Sequence, residues 1–149
     1  MKKFARVLAL MLVATLLCVM LVACAPTPAD TPEDAKAALE ENGYEVLVVD
    51  NELALAGASA IYGGDLEATL RASDGDDNYV SIIWFENEED AEKYYEELEE
   101  EWAEMEEELE EIEDEDEKAE AEEYMDSMTF GQSGNMVWSG TVDGIKAAS

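Results

Sequence analysis

Histidine is absent from all 149 residues. That removes Ser-His-Asp and Cys-His catalysis, haem ligation by histidine and histidine-based zinc sites. The two cysteines, Cys18 and Cys24, both fall in the first 24 residues. The chain beyond them therefore has no thiol for a disulfide, a nucleophile or a zinc site. Basic residues are also scarce, with eight lysines and arginines against 39 acidic side chains. The first 23 residues hold three of the basic residues (Lys2, Lys3, Arg6) and no acidic one, so residues 24–149 have a net charge of −34. Nucleic-acid binding is excluded, because phosphate backbones require a basic footprint. Anionic lipid head groups would likewise repel this part of the chain. A hydrolase built on two carboxylates needs acids held in apolar surroundings, and the sequence isolates no such pair. No catalytic residue, cofactor or defined metal cage is assigned, and the chain reads as non-enzymatic.

What is present begins with an address. Met1-Lys2-Lys3-Phe4-Ala5-Arg6 is short and positive, and an apolar run follows from Val7 to Ala23, broken only by Thr15. This order is that of a secretory signal, with the positive end retained in the cytoplasm. The run closes on Leu21-Val22-Ala23-Cys24, which resembles the lipobox of bacterial lipoproteins. The resemblance implies diacylglyceryl transfer to the Cys24 sulfur and cleavage after Ala23. Cys24 would then be the lipidation site and the first mature residue, anchored on the extracytoplasmic face of the bacterial cell membrane. The alternative is an uncleaved membrane helix, for which Val7–Ala23 is near the lower limit of about 17 residues. The expected organisation is a signal peptide at 1–23, a lipidated, proline-containing tether at 24–31 and one domain at 32–149.

Within that domain, Thr31-Pro32-Glu33-Asp34 has the cap, the first-turn proline and the acids of a helix start. Gly43 marks the helix end. Tyr44–Val49 is a β-branched and aromatic run, and its near-continuous apolarity suggests an interior strand. Residues 51–64 read as a short helix ended by Gly63-Gly64, a pair whose plain reading is a turn and whose sharper reading is a ligand loop. Leu66–Ala72 and Asn78–Phe85 form two strands around the hairpin signal Asp74-Gly75-Asp76-Asp77. That turn begins like a calcium loop. Tyr79 and Phe85 then stand where the glycine and bidentate glutamate belong, so a hairpin is expected. Gly131–Gly134 reads as a turn, Asn135–Ser139 as a last strand, and Thr141 as the cap of a closing helix.

The largest feature is the stretch from Glu86 to Glu123, which holds 24 acidic residues and two lysines. Tyr95, Leu98, Trp102, Met105, Leu109 and Ile112 recur at alternating steps of three and four, a heptad seam. The spacing predicts an acidic helix over about 87–128, capped by Asn87, with a kink or turn near Asp114 where the seam lapses. Lys93 follows Glu89 by four residues and Lys118 follows Asp114 by four, both favourable pairs. Like-charge pairs such as Glu92/Glu96, Glu96/Glu100, Glu97/Glu101 and Glu106/Glu110 outnumber them, each costing about 0.2–0.5 kcal/mol. Burial of the seam, screening salt, divalent cations (Ca²⁺ or Mg²⁺) or a basic protein or peptide partner would have to offset that repulsion.

The order of elements predicts an α+β fold: a small antiparallel sheet of about four strands with helices on one face, a ferredoxin-like sandwich being the nearest architecture. The expected role is a lipid-anchored, envelope-associated binding domain. Low-affinity binding of divalent cations and capture of a basic partner are the specific alternatives.

Overall fold

A computed structural model describes residues 26–149. The signal segment, Cys24 and Ala25 lie outside the described residues. Among the described residues no helix is long and apolar enough to cross a membrane. The chain is α+β with one antiparallel sheet. Its elements run α1 (Pro32–Glu41), β1 (Glu45–Val49), α2 (Glu52–Tyr62), β2 (Leu66–Ser73), β3 (Tyr79–Phe85), α3 (Glu88–Glu111), α4 (Glu115–Ser127), β4 (Met128–Ser133), β5 (Met136–Thr141) and α5 (Val142–Ala147).

The sheet order is β1-β2-β3-β5-β4, with every neighbouring pair antiparallel. Five strands replace the expected four, because Met128–Ser133 is a strand and not a helix end followed by a turn. β3 and β4 consequently run parallel with β5 between them, joined through α3 and α4, a split βαβ arrangement. β1 and β2, by contrast, lie side by side.

Helices cover both faces of this sheet, not one. Ala68, Leu70 and Ala72 of β2, Val80, Ile82 and Trp84 of β3, and Met136 and Trp138 of β5 share a core with Ala35 and Leu39 of α1 and Ile145 of α5. On the opposite face Leu66, Ile83, Phe85 and Val137 pack with Leu55 of α2 and with Ala91, Tyr94, Tyr95 and Leu98 of α3. A bulge between Leu66 and Ala68 sends Leu66 to the second face, out of the alternation it shows in the sequence. Two covered faces also account for the apolar run of β1, which is an edge strand and not an interior one. Val46 and Val48 meet the first core and Val49 the second, while Leu47 stands in solvent.

The local signals act as their chemistry dictates. The Thr31, Asn51, Asn87 and Thr141 side chains each accept a hydrogen bond from a first-turn amide of α1, α2, α3 and α5. The acidic helix is broken into two. Ile112 ends α3 with extended backbone, and Asp114 caps α4 by accepting from the amides of Asp116 and Glu117. Gly63-Gly64 is a structural turn: a Cβ on Gly64 would lie 2.7 Å from the Asp90 Cβ, so glycine lets the loop close against the start of α3. The Asp90 carboxylate there accepts from the Asp65 amide at 3.3 Å and from Asn87 Nδ2 at 2.9 Å.

The expected tether is not free over its whole length. The Ala29 amide donates to the Ala148 carbonyl at 2.8 Å, Ser149 Oγ donates to the Thr27 carbonyl at 3.0 Å, and Trp84 Nε1 donates to the Asp30 carbonyl at 2.9 Å. Residues from Thr27 onward are thus pinned to the domain, beside the end of α5.

Candidate functional site

A recess wraps the outer edge of β4. It has a volume of about 600 Å³. One wall is α3, which presents Tyr95, Glu99 and Trp102; the floor is β4 from Met128 to Gln132; the far side is formed by Trp138 and Thr27.

Strand alternation sorts the β4 side chains between the two walls. Phe130 points toward α3, its ring centroid 5.2 Å from that of Trp102 and 5.8 Å from that of Tyr95, both tilted by 45°. Gly131 points to the other face, opposite Trp138 in the β4–β5 register. The absence of a side chain at Gly131 admits the indole, because a Cβ would lie 2.5 Å from Trp138 Cζ2. Trp138 is only 5% exposed, and its buried Nε1 has no hydrogen-bond partner among the described residues. An indole N–H left without an acceptor is rare in a folded core.

A second, more apolar void of about 150 Å³ continues beneath α3, bordered by Tyr79, Leu98, Met105 and Ser139 and sharing Trp102, Met128, Thr129 and Phe130 with the cleft. The proximal seam therefore rests on the sheet with space around Phe130. The distal seam is covered by the chain's own α4: Trp102, Glu106 and Leu109 line a groove together with Glu122, Met125 and Asp126. Met105, 41% exposed, is the seam residue left open.

Electrostatics at the cleft are one-sided. Glu99 is its charged wall, and the cleft's lining includes no lysine or arginine. Burial raises the Tyr95 phenol above its ordinary value, and the Glu99 carboxylate adds to the shift through its charge and a hydrogen bond. Nearby, Tyr94 is pushed up to about 12, first by burial and then by Tyr62, Glu101 and Glu97, with Arg71 opposing. Tyr79 is raised by burial and by its contact with Tyr124, their hydroxyls 3.1 Å apart. All three tyrosines stay neutral at physiological pH and serve as hydrogen-bonding apolar surface.

Other sequence candidates resolve separately. Asp74 accepts from the Asp76 amide at 3.0 Å, the Asn78 amide at 3.3 Å and Asn78 Nδ2 at 2.7 Å. Its carboxylate oxygens are engaged by the hairpin itself, which is the chemistry of a turn. Among the described residues no cluster of three or more metal-ligating side chains is arranged to hold an ion. Two ion pairs form among them, Lys36–Glu40 and Lys146–Asp143. Neither expected pair, Glu89–Lys93 or Asp114–Lys118, closes to ion-pair distance. Cys24, the lipidation candidate, lies outside the described residues, three positions before Thr27.

Tyr95 and Trp102 are legible in the sequence as seam residues; Phe130, Gly131 and Trp138 are not legible as their counterparts. The available signal was the Gly134-Asn135 pair, a two-residue hairpin turn ahead of the strand-like Met136–Ser139. Comparison with protein families, with curated proteins and with solved structures finds no match to this chain.

Proposed function

We propose that the chain is a bacterial lipoprotein, held by lipid on Cys24 at the extracytoplasmic face of the cell membrane, and that it acts as a non-enzymatic binding domain for a basic protein or peptide. The observation that supports this most is the cleft beside β4. It combines Tyr95, Trp102, Phe130 and Trp138 with one charged wall, Glu99. Aromatic side chains that offer wide apolar area with few rotatable bonds are the residues that dominate binding energetics. A carboxylate beside them selects for cations, and the dense acidic surface of α3 steers basic partners toward it.

The anchor reading fits the pinned segment. Ala25 and Pro26 separate Cys24 from Thr27, and the three steps give a reach of roughly 10 Å when extended. A lipid on Cys24 would hold the cleft close to the bilayer surface. Two acyl chains suffice for stable attachment, where one is marginal.

The test has two arms. Growth with a palmitate analogue should label the wild-type chain, and Cys24→Ser should abolish the label. For binding, Glu99→Lys should weaken capture of a lysine-rich peptide by at least tenfold at 150 mM NaCl. Undiminished label on the serine variant removes the anchor, and unchanged affinity for Glu99→Lys removes the cleft.

A further inference from the structure

The edge of β4 has backbone groups available for pairing. The two-residue loop Gly134-Asn135 joins Ser133 and Met136, which are partners in the register. A hairpin of this kind closes with a hydrogen-bonded pair, and hydrogen-bonded and non-bonded pairs then alternate along the ladder. Gly131 and Thr129 therefore turn their amides and carbonyls toward β5. Phe130 and Gln132 turn theirs outward, into the cleft. Met128 sits in the same outward phase, but its amide is already used to cap α4 through the Met125 carbonyl.

Natural sheets protect exposed edges with charge, proline, bulges or a covering element. Met128–Ser133 (Met-Thr-Phe-Gly-Gln-Ser) has no charged residue and no proline, and its register with β5 is unbroken. The opposite edge differs. β1 borders a shallower groove of about 390 Å³, with Arg71 in its lining and no aromatic wall.

We infer that β4 is a template for strand addition: an extended segment of a partner protein, bearing lysine or arginine at alternate positions, pairs with β4 as a sixth strand. This rests on reading the cleft as a site for a basic partner and adds the geometry of capture. Backbone bonds to Phe130 and Gln132 supply affinity, and alternate side chains supply selectivity. Side chains on one face of the added strand meet Tyr95, Glu99 and Trp102; those on the other meet Trp138 and Thr27. Glu99 demands a cation on the α3 side. The same charge argues against a second copy as the occupant, since each chain brings a net charge of −34 over residues 24–149.

The experiment uses full-length protein extracted from membranes in detergent, at 150 mM NaCl, with fluorescently labelled acetyl-(Lys-Val)₄-amide as probe. Two control peptides of equal charge accompany it: the block isomer Lys₄Val₄, and the alternating peptide with its backbone N-methylated at every second residue. Strand addition predicts that the alternating peptide binds at least tenfold more tightly than either control. Gln132→Pro removes one outward amide without touching the β5 pairing and should weaken the probe at least fivefold. Its melting temperature should stay within about 2 °C of wild type, as proline is tolerated where a strand's amide faces outward. Equal affinity of the three peptides overturns strand addition and leaves charge-driven capture standing. Absence of binding by all three at 1 mM overturns the cleft reading as well. Sedimentation as a dimer that excludes the probe assigns the edge to a second copy and overturns the proposal.

Discussion

Replacing Gly131 with alanine tests the contact on which the cleft is built. The new Cβ would lie 2.5 Å from Cζ2 and 2.8 Å from Cε2 of Trp138. Ordinary carbon–carbon contact is about 3.5–4.0 Å, so roughly 1 Å of movement must be found. The indole cannot provide it by swinging into water. It is 5% exposed and belongs to the core shared with Leu39, Ile82 and Ile145. The β4 backbone would have to shift, or Trp138 would have to leave its rotamer. Overpacking of this kind costs about 1–3 kcal/mol. The entropy that alanine saves over glycine offsets about 0.5–1 kcal/mol of it. A net loss near 1–2 kcal/mol corresponds to a fall in melting temperature of roughly 4–10 °C for a domain of this size. Thermal unfolding of residues 25–149 by circular dichroism gives the number, and the same substitution in a Trp138→Leu background isolates its cause. With the indole gone, Gly131→Ala should become nearly neutral, giving a coupling of about 1 kcal/mol or more. A melting temperature unchanged in the wild-type background, or an equal loss in both backgrounds, would refute the stacking of Trp138 over Gly131.

Leu39→Ala and Leu53→Ala should differ sharply. Leu39 is 0% exposed and its truncation should cost about 2–5 kcal/mol, whereas Leu53 is 88% exposed and should change stability by no more than about 0.5 kcal/mol in urea titrations. Asp74→Ala should lower the melting temperature at pH 7 by removing the acceptor of the β2–β3 turn. Its hydrogen bond from Asn78 holds the Asp74 carboxyl below its ordinary value in the folded chain. That contribution is present above the unfolded value and is lost as pH falls through the folded one, so the gap between wild type and variant should narrow in acid. Finally, NaCl and CaCl₂ at matched ionic strength should raise the melting temperature of residues 25–149 equally if the acidic surface is only screened. A filled calcium site at 100 times its dissociation constant would instead add about 2.7 kcal/mol with calcium alone.

The parts of this fold legible in the sequence are those decided within a few residues. Thr31, Asn87 and Thr141 cap the helices they were expected to cap, because a side-chain oxygen three residues before an amide acts independently of tertiary context. The lapse of the seam after Ile112 marked the break between α3 and α4. The β4 strand was hidden by its neighbours. Met128 continues the spacing of Tyr124 and Met125, so it reads as helix, and glycine with polar residues at Gly131–Gly134 reads as a turn. Only pairing with β5 gives Met128–Ser133 its conformation. The same blind spot concealed the cleft, whose aromatic walls lie 28 or more residues apart in the chain: Tyr95 and Trp102 on α3, Phe130 and Trp138 on the terminal hairpin. The position of β1 was misread for a related reason. An apolar run reports apolar contact on two faces, and here the edge strand has it through Val46 and Val48 on one face and Val49 on the other, while Leu47 stays in solvent.

The electrostatics of α3 connect the stability of the domain to the proposed binding of a basic partner. Its first turn holds Glu88, Glu89 and Asp90, which favour the positive end of the helix dipole, but its last turn holds no basic residue. Glu107, Glu108, Glu110 and Glu111 sit instead at the negative end, where each is unfavourable. Neither of the two ion pairs formed among the described residues lies on this helix. Its distal half has no ion pair of its own, and its Trp102 and Leu109 border a groove of about 290 Å³ together with Met125 of α4. A basic ligand beside Glu99 would do more than form its own contacts, because it would relieve repulsion that the isolated domain retains. That relief is greatest at low ionic strength, so affinity for a cationic peptide should fall as salt rises, while salt by itself should stabilise the free domain. The opposite signs of these two responses follow from one unfavourable charge distribution. A cleft that bound through its aromatic walls alone would show an affinity independent of salt.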